Sequence, residues 1–298
     1  MNMQENTLKA IFSVNAVVFG TDESILGLNL CDGFSFQRKS LMPLKDHLDE
    51  VFETDAMGLR REYELARFDD SLDVICITKH TELDIPISEA YDYFTKMADE
   101  SLLSLDNQIR AIRLVMESPL RCKKIMFRLV QEKNTYEHLF SVNESMTTHE
   151  ISRFHCEENE FDALSEAIRK ISFPLSDKIL NIAHMHYDLS YHQNRYISVT
   201  LLVAVLEMLY LNDEGAKKER LSKRCAIFFM ENNCDIMHTY NRLKQIYKKR
   251  SEFVHEGTFY DITDDDILFL RRCVRESILK LINDNRTKQE RIANIRSM

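Results

Sequence analysis

The sequence predicts an α+β protein in two domains, a mixed α+β half over residues 1–158 followed by an all-helical bundle over residues 159–298. Three observations lead there. Short runs rich in β-branched and aromatic residues punctuate the first half, whereas from Phe161 onward apolar residues recur at helical spacing between short polar breaks. The charge shifts at the same place: residues 1–158 hold 17 Lys+Arg against 28 Asp+Glu, a balance of −11, and residues 159–298 hold 22 against 20, or +2. A chain of 298 residues also suits two domains at about 150 residues each. With 44% hydrophobic and 29% charged residues, it has the balance of a folded chain and not of a disordered one.

In the first half, Lys9 to Phe19, Ile25 to Phe36 with Gly27 and Gly33 as punctuation, and Leu72 to Thr78 read as strands. Lys124 to Val130 and His149 to His155 carry weaker versions of the same signal. Between them, Ser88 is placed to cap a helix running through Lys96, and Asp106 to Met116 repeats Ile109, Ile112, Val115 and Met116 at helical spacing. Cys156 to Glu160 is the best linker. The second half then predicts helices at about 175–191, 195–211, 217–231, 235–256 and 264–296. The last opens on Thr263-Asp264-Asp265-Asp266, a capping-box variant with acids at the positive end of the helix dipole, and its stripe Ile267, Leu270, Val274, Ile278, Leu281 should face the bundle.

Several classes of function fall away on composition. Six glycines in the whole chain cannot build a Walker loop or a G-x-G-x-x-G phosphate cradle, which each need several in one turn. Seven cysteines without a C-x-x-C pair fit reduced thiols, not a disulfide framework or a zinc ribbon. No run approaches the roughly 18 apolar residues that span a bilayer, and Met1 to Asn6 lacks the basic start of a signal peptide, so a cytoplasmic protein without membrane attachment is expected. An acidic first half repels phosphate. If a polyanion binds, it binds the second half.

One segment there concentrates chemistry: Tyr247-Lys248-Lys249-Arg250-Ser251-Glu252-Phe253-Val254-His255-Glu256-Gly257. Arginine suits a phosphate because its planar fork donates two parallel hydrogen bonds, and histidine moves protons near neutral pH. Gly257 is placed to end the helix in a left-handed cap. Five residues at 100° each set Arg250 and His255 about 140° apart on an ideal helix, so one regular helix aims them poorly. They converge better if the last turn is distorted near Gly257, or if a two-fold related copy supplies the opposing groups. On spacing alone the competing reading is a solvated basic face with a histidine favouring the helix C-terminus.

The segment resembles the signature of the HEPN superfamily, a helical bundle with an R-x(4–6)-H motif, and most closely its ApeA-like branch. The resemblance runs over roughly 175–298. Leu206-Glu207-Met208-Leu209 is similar to the branch's Glu-x-Leu helix, Leu221-Ser222-Lys223-Arg224-Cys225-Ala226 to its small-residue helix, and Tyr247-x-x-Arg250-Ser251-x-Phe253-Val254-His255-x-Gly257 to its terminal block. The position after the arginine, often Asn, Asp or His in HEPN ribonucleases, is Ser251 here. The resemblance implies a metal-independent endoribonuclease without a cofactor, acting as a homodimer in cellular defence or stress. In it Arg250 holds the phosphate, His255 is the general acid or base, and the RNA 2′-hydroxyl attacks, which excludes DNA. Ser251 would bond substrate or hold Arg250, Glu207 would orient one of the pair, and Lys248 and Lys249 would follow the RNA backbone.

Two other readings stand beside it. A HEPN-like bundle can bind RNA, nucleotide or protein without cutting, which the departure at Ser251 keeps open, or can be a purely structural dimer. His184, His186 and His192 do not read as a metal site, because residues two apart on a helix do not face one another and no further ligand completes a set. His186 falls on the stripe Leu175, Ile179, Ile182, Leu189 and is expected to pack there. Tyr187 and Tyr191 are expected as bundle contacts, not base-stacking platforms.

Overall fold

The computed structural model describes residues 7–40, 73–132, 134–141, 154–212, 215–229, 235–258 and 261–297. It is an α+β protein: an antiparallel sheet with its helices comes first and a helical bundle follows. The described residues fall into two compact units, one of residues 7–141 with 154–172 and the other of residues 173–297. The sequence boundary at 158/159 thus lies 14 residues before the first unit ends, since Phe161–Arg169 packs with the sheet unit.

The first unit is a five-stranded sheet in the order β2-β3-β1-β4-β5, with β1 Thr7–Phe19, β2 Ser35–Ser40, β3 Asp73–Pro86, β4 Arg121–Gln131 and β5 Asn134–Ser141. All neighbours are antiparallel. Alternation along β1 fixes which face is inside: Ala10, Phe12, Val14 and Ala16 are buried, while Ile11 between them is 49% exposed. Against the inner face lies α1, Ala90–Val115, whose Phe94 meets Phe12 edge-on at 6.4 Å.

The sequence reading differs here in four places. The expected strand from Ile25 to Phe36 instead begins inside a turn of 3-10 helix, Glu23–Gly27, because the Asp22 carboxylate caps that turn by accepting from Ser24 N at 2.9 Å. Positive φ at Asp32 and Gly33 then delays the strand to Ser35. The two expected helices at 88–96 and 106–116 are one, since Met97 to Leu105 contain no glycine or proline to stop them, and Ser88 lies in a 3-10 turn without capping α1. β5 is an element the sequence does not announce, because its exposed polar residues mask the alternation. Of the expected strand His149 to His155, residues 149–153 lie outside the described residues, and Phe154 makes only an isolated bridge to Thr21.

That bridge ties residues 154–172 into the sheet unit. Phe154 N donates to the Gly20 carbonyl at 2.8 Å, Asp22 N to the Phe154 carbonyl at 3.2 Å, and Asn29 N to Ser165 Oγ at 3.0 Å on α2, Phe161–Arg169.

The second unit is helical: α3 Lys178–Leu189, α4 Arg195–Tyr210, α5 Lys217–Phe229, α6 Ile236–Glu256, α7 Asp264–Leu281 and α8 Lys288–Ser297. Asp177, Asn194, Asp235 and Thr263 each accept a hydrogen bond from the first turn of the helix they open, and Thr263 forms the expected capping box with Asp266. The expected final helix divides in two. Asp284 accepts from Arg286 N and its guanidinium, and Thr287 exchanges hydrogen bonds with Glu290, which starts α8 afresh.

α4 is the axis of this unit, touching α3, α5, α6, α7 and α8, and it is apolar nearly all round, as suits a helix with neighbours on most of its sides. Several polar groups inside are paired with one another. The Tyr210 hydroxyl donates to Ser277 Oγ at 2.8 Å, and the buried Arg271 donates to the Ser190 carbonyl at 2.8 Å with its guanidinium 4.0 Å from the Tyr191 ring centre. Tyr187 and Tyr191 are the expected bundle contacts, fully buried and joined hydroxyl to hydroxyl at 2.9 Å. The packing histidine is His184 and not His186: α3 turns Leu180, Ala183, His184 and Tyr187 inward, and the His184 ring lies 4.3 Å from that of Phe173. Leu189, on the expected stripe, is exposed. No described helix is long and apolar enough to cross a membrane.

The bridge at residue 154 carries a pH signature. His155 Nδ1 lies 2.7 Å from Asp22 Oδ2 and Nε2 3.3 Å from Glu157 Oε1, and these hydrogen bonds, Asp22 first, raise the imidazole above its ordinary pKa. Burial opposes ionisation of Asp22, yet its bonds from Ser24 and His155 hold it below the usual carboxylate value. A raised histidine contributes stability that is complete below about pH 6.5 and fades as pH rises through its folded value, while a depressed aspartate contributes above about pH 4. His155→Gln should therefore lower the unfolding temperature relative to wild type at pH 5.5 and match it at pH 9. Equal unfolding temperatures at both pH values would show that the histidine bonds contribute nothing.

Candidate anion site at the end of helix α6

α6 is pinned at both ends. Asp235 Oδ1 accepts from Met237 N at 2.9 Å and His238 N at 3.1 Å, and Gly257 ends the helix in the left-handed conformation, φ 65°, with its N–H returning to the Phe253 carbonyl. The expected glycine cap is present. Because the helix stays regular through Glu256, no distorted turn draws Arg250 and His255 together. They remain about 140° apart around the axis.

Their surroundings differ accordingly. Thr239, Leu243 and Ile246 form the buried side of α6, and Arg250 continues that row one turn further, half-buried, whereas His255 projects exposed. On α6, Arg250 stands between two residues that reach α4. Three positions before it, the Tyr247 hydroxyl donates to Glu207 Oε1 at 2.6 Å; three positions after it, Phe253 stacks on Tyr196 with ring centres 4.9 Å apart. Arg250 itself makes no side-chain hydrogen bond or ion pair among the described residues, and its Nε is buried without a partner. Such a donor is costly to leave unmade.

Glu207 is the only acidic residue of α4. Burial, then the bond to its carboxylate, pushes the Tyr247 phenol up to about 12, so this hydroxyl remains a donor at any physiological pH. Ser251 is half-buried, and its side chain bonds nothing among the described residues.

The two lysines are not equivalent. Lys249 Nζ donates to the Asp261 carbonyl at 2.9 Å and to Asp266 Oδ2 at 2.8 Å, which locks α6 to the start of α7 and commits the ammonium to structure. Lys248 is exposed and meets only Glu252, at 3.7 Å, among the described residues. Of the two residues expected to follow a phosphate backbone, Lys248 alone has an uncommitted charge.

Apolar side chains are exposed near Arg250 and before the start of α4. Val254 is 44% exposed and Ile197 is 41% exposed beside the Tyr196–Phe253 stack; Leu189 and Met185, 43% and 56% exposed, end the helix that leads by a short turn into α4. No group of three metal-ligating side chains occurs among the described residues. Sequence reasoning proposes Arg250, His255, Ser251 and Glu207 but misses the Tyr247 bond to Glu207 and the commitment of Lys249. Partners 40 and 17 positions apart leave no spacing signal. No family model, curated protein or solved structure matches the chain.

The cap gives a direct check on the helix end that carries His255. A Cβ at Gly257 would meet nothing within 4 Å, so Gly257→Ala costs only the strain of a left-handed residue, about 1 kcal/mol, and Gly257→Asn less. Denaturant unfolding of the three proteins should rank them wild type, Asn, Ala.

Proposed function

We propose that the protein is a metal-independent endoribonuclease of HEPN type, working in the cytoplasm as a homodimer in cellular defence or stress, with Arg250 and His255 contributed to one cleft by two protomers. The observation that carries this reading is the Arg250 guanidinium: a half-buried cation with a buried, unsatisfied donor, at the same helix end as an exposed imidazole. A phosphodiester oxygen supplies what Arg250 lacks. The exposed Val254 and Ile197, which flank the Tyr196–Phe253 stack, support a second copy as the cover, since exposed apolar residues of this kind are favoured at an interface.

In the cleft, Arg250 binds the non-bridging oxygens and stabilises the charge that grows on them. The ribose 2′-hydroxyl attacks phosphorus as the P–O5′ bond breaks. His255 of the facing protomer takes the hydroxyl proton or supplies one to the leaving 5′-oxygen, and the products are a 2′,3′-cyclic phosphate and a 5′-hydroxyl. Ser251 bonds a phosphate oxygen, and Lys248, which by the same 100° step lies on the His255 side of α6, meets a neighbouring phosphate from the facing protomer. DNA lacks the nucleophile.

A second reading, an RNA-binding bundle without cleavage, is favoured by the same 140° divergence, because a single chain presents a grip without a proton shuttle. One experiment separates them. Single-stranded RNA incubated with protein and excess chelator should be cut, with Arg250→Ala and His255→Ala each slower by about 10²-fold or more. A mixture of the two inactive variants should recover about a quarter of wild-type activity, because half the dimers are mixed and each of those rebuilds one of its two sites. Binding without cutting would leave the second reading standing, and cutting with no recovery on mixing would place both groups in one chain.

A further inference from the structure

Glu207 is the one carboxylate on a helix walled in by its neighbours, and a carboxylate so placed requires a donor. α6 offers two, one turn apart: the Tyr247 hydroxyl and the Arg250 guanidinium, whose roots lie about 5–6 Å from each other at this spacing. Charge and fork geometry favour the arginine. The structure gives the carboxylate to the phenol instead, at 2.6 Å, and leaves the guanidinium bonded to nothing among the described residues, with Nε buried. The cation is nonetheless close enough for its charge to act on the phenol.

We infer that Tyr247 is a positioning residue of the anion site: by engaging Glu207 it withholds the carboxylate from Arg250 and keeps the guanidinium available to a phosphodiester. The inference rests on the reading of Arg250 as the phosphate-binding group. Its content is a competition. A carboxylate released from Tyr247 turns to the arginine one turn away, and the resulting internal ion pair excludes phosphate. Loss of one hydroxyl then silences a group that the hydroxyl does not touch, and neutralising the carboxylate restores it. A merely structural hydrogen bond behaves in the opposite way, since removing its second partner repairs nothing.

The test uses the full chain and a fluorescent single-stranded RNA carrying 2′-O-methyl groups, which binds but has no nucleophile, with affinity measured across a range of salt in excess chelator. Arg250→Ala sets the reference: weaker binding and a salt slope smaller by about 0.7 for each phosphate that the arginine neutralises. Tyr247→Phe should fall to the same affinity and the same reduced slope, and Tyr247→Phe with Glu207→Gln should regain the wild-type slope. Glu207→Gln alone should bind more tightly than wild type, because a negative charge beside the phosphate is gone. Tyr247→Phe keeping the full wild-type slope, or the double variant remaining as weak as Tyr247→Phe, would overturn the inference while Arg250 stands as the phosphate ligand. Arg250→Ala binding as wild type does would instead remove that ligand assignment, and the inference with it.

Discussion

The second unit is organised around a shortage of carboxylates in its most enclosed helix. α4 has apolar residues on almost every side because five helices pack against it, and the single acid it carries must find its donor on α6. That one bond, with the Tyr196–Phe253 stack on the other side of Arg250, sets how α6 lies on α4 and therefore where the arginine is rooted. Two other cations at this end are spoken for, Arg195 by Asp264 at 2.8 Å and Lys249 by Asp266 at 2.8 Å. Electrostatic attraction in a half-buried seam is strong enough that a lone cation survives there only where its neighbours are already matched.

The helical half is legible because its signals are local. Capping residues stand next to the turns they cap, so Thr263 with Asp266 and the stop at Gly257 can be read directly, and the helix starts in this half fall within a few residues of expectation. What fails is also local in origin. The break between α7 and α8 depends on Asp284 and Thr287 bonding to their own neighbours, yet no proline or glycine announces it, and one long helix is the simpler reading. In the sheet half, polar edge strands defeat a pattern sought in apolar alternation, and β5, bearing Glu137 and His138, is hidden for that reason. Candidate residues Arg250 and His255 are visible from one short segment, but their surroundings are not. Neither the link from Tyr247 to Glu207 nor that from Lys249 to Asp266 follows any helical period.

The arrangement also separates what a chain supplies alone from what it supplies in company. A regular helix aims two residues five apart in directions about 140° from one another, whatever those residues are. The cap at Gly257 keeps α6 regular to Glu256 and so enforces the separation, and Val254, just before it, is exposed. On the proposed reading, a dormant single chain and a competent pair follow from the same geometry, which suits an activity harmful to its host.

Gly27 points to a practical outcome for anyone who wishes to study the halves apart. A methyl group there would run into the Phe161 ring, so α2 sits directly on bare backbone, and its Ile168 is buried in that seat. A fragment starting at residue 159 would carry this greasy segment away from its berth and strip α1 of a neighbour. Severing the polypeptide after Ser172 instead keeps α2 in the unit with which it packs.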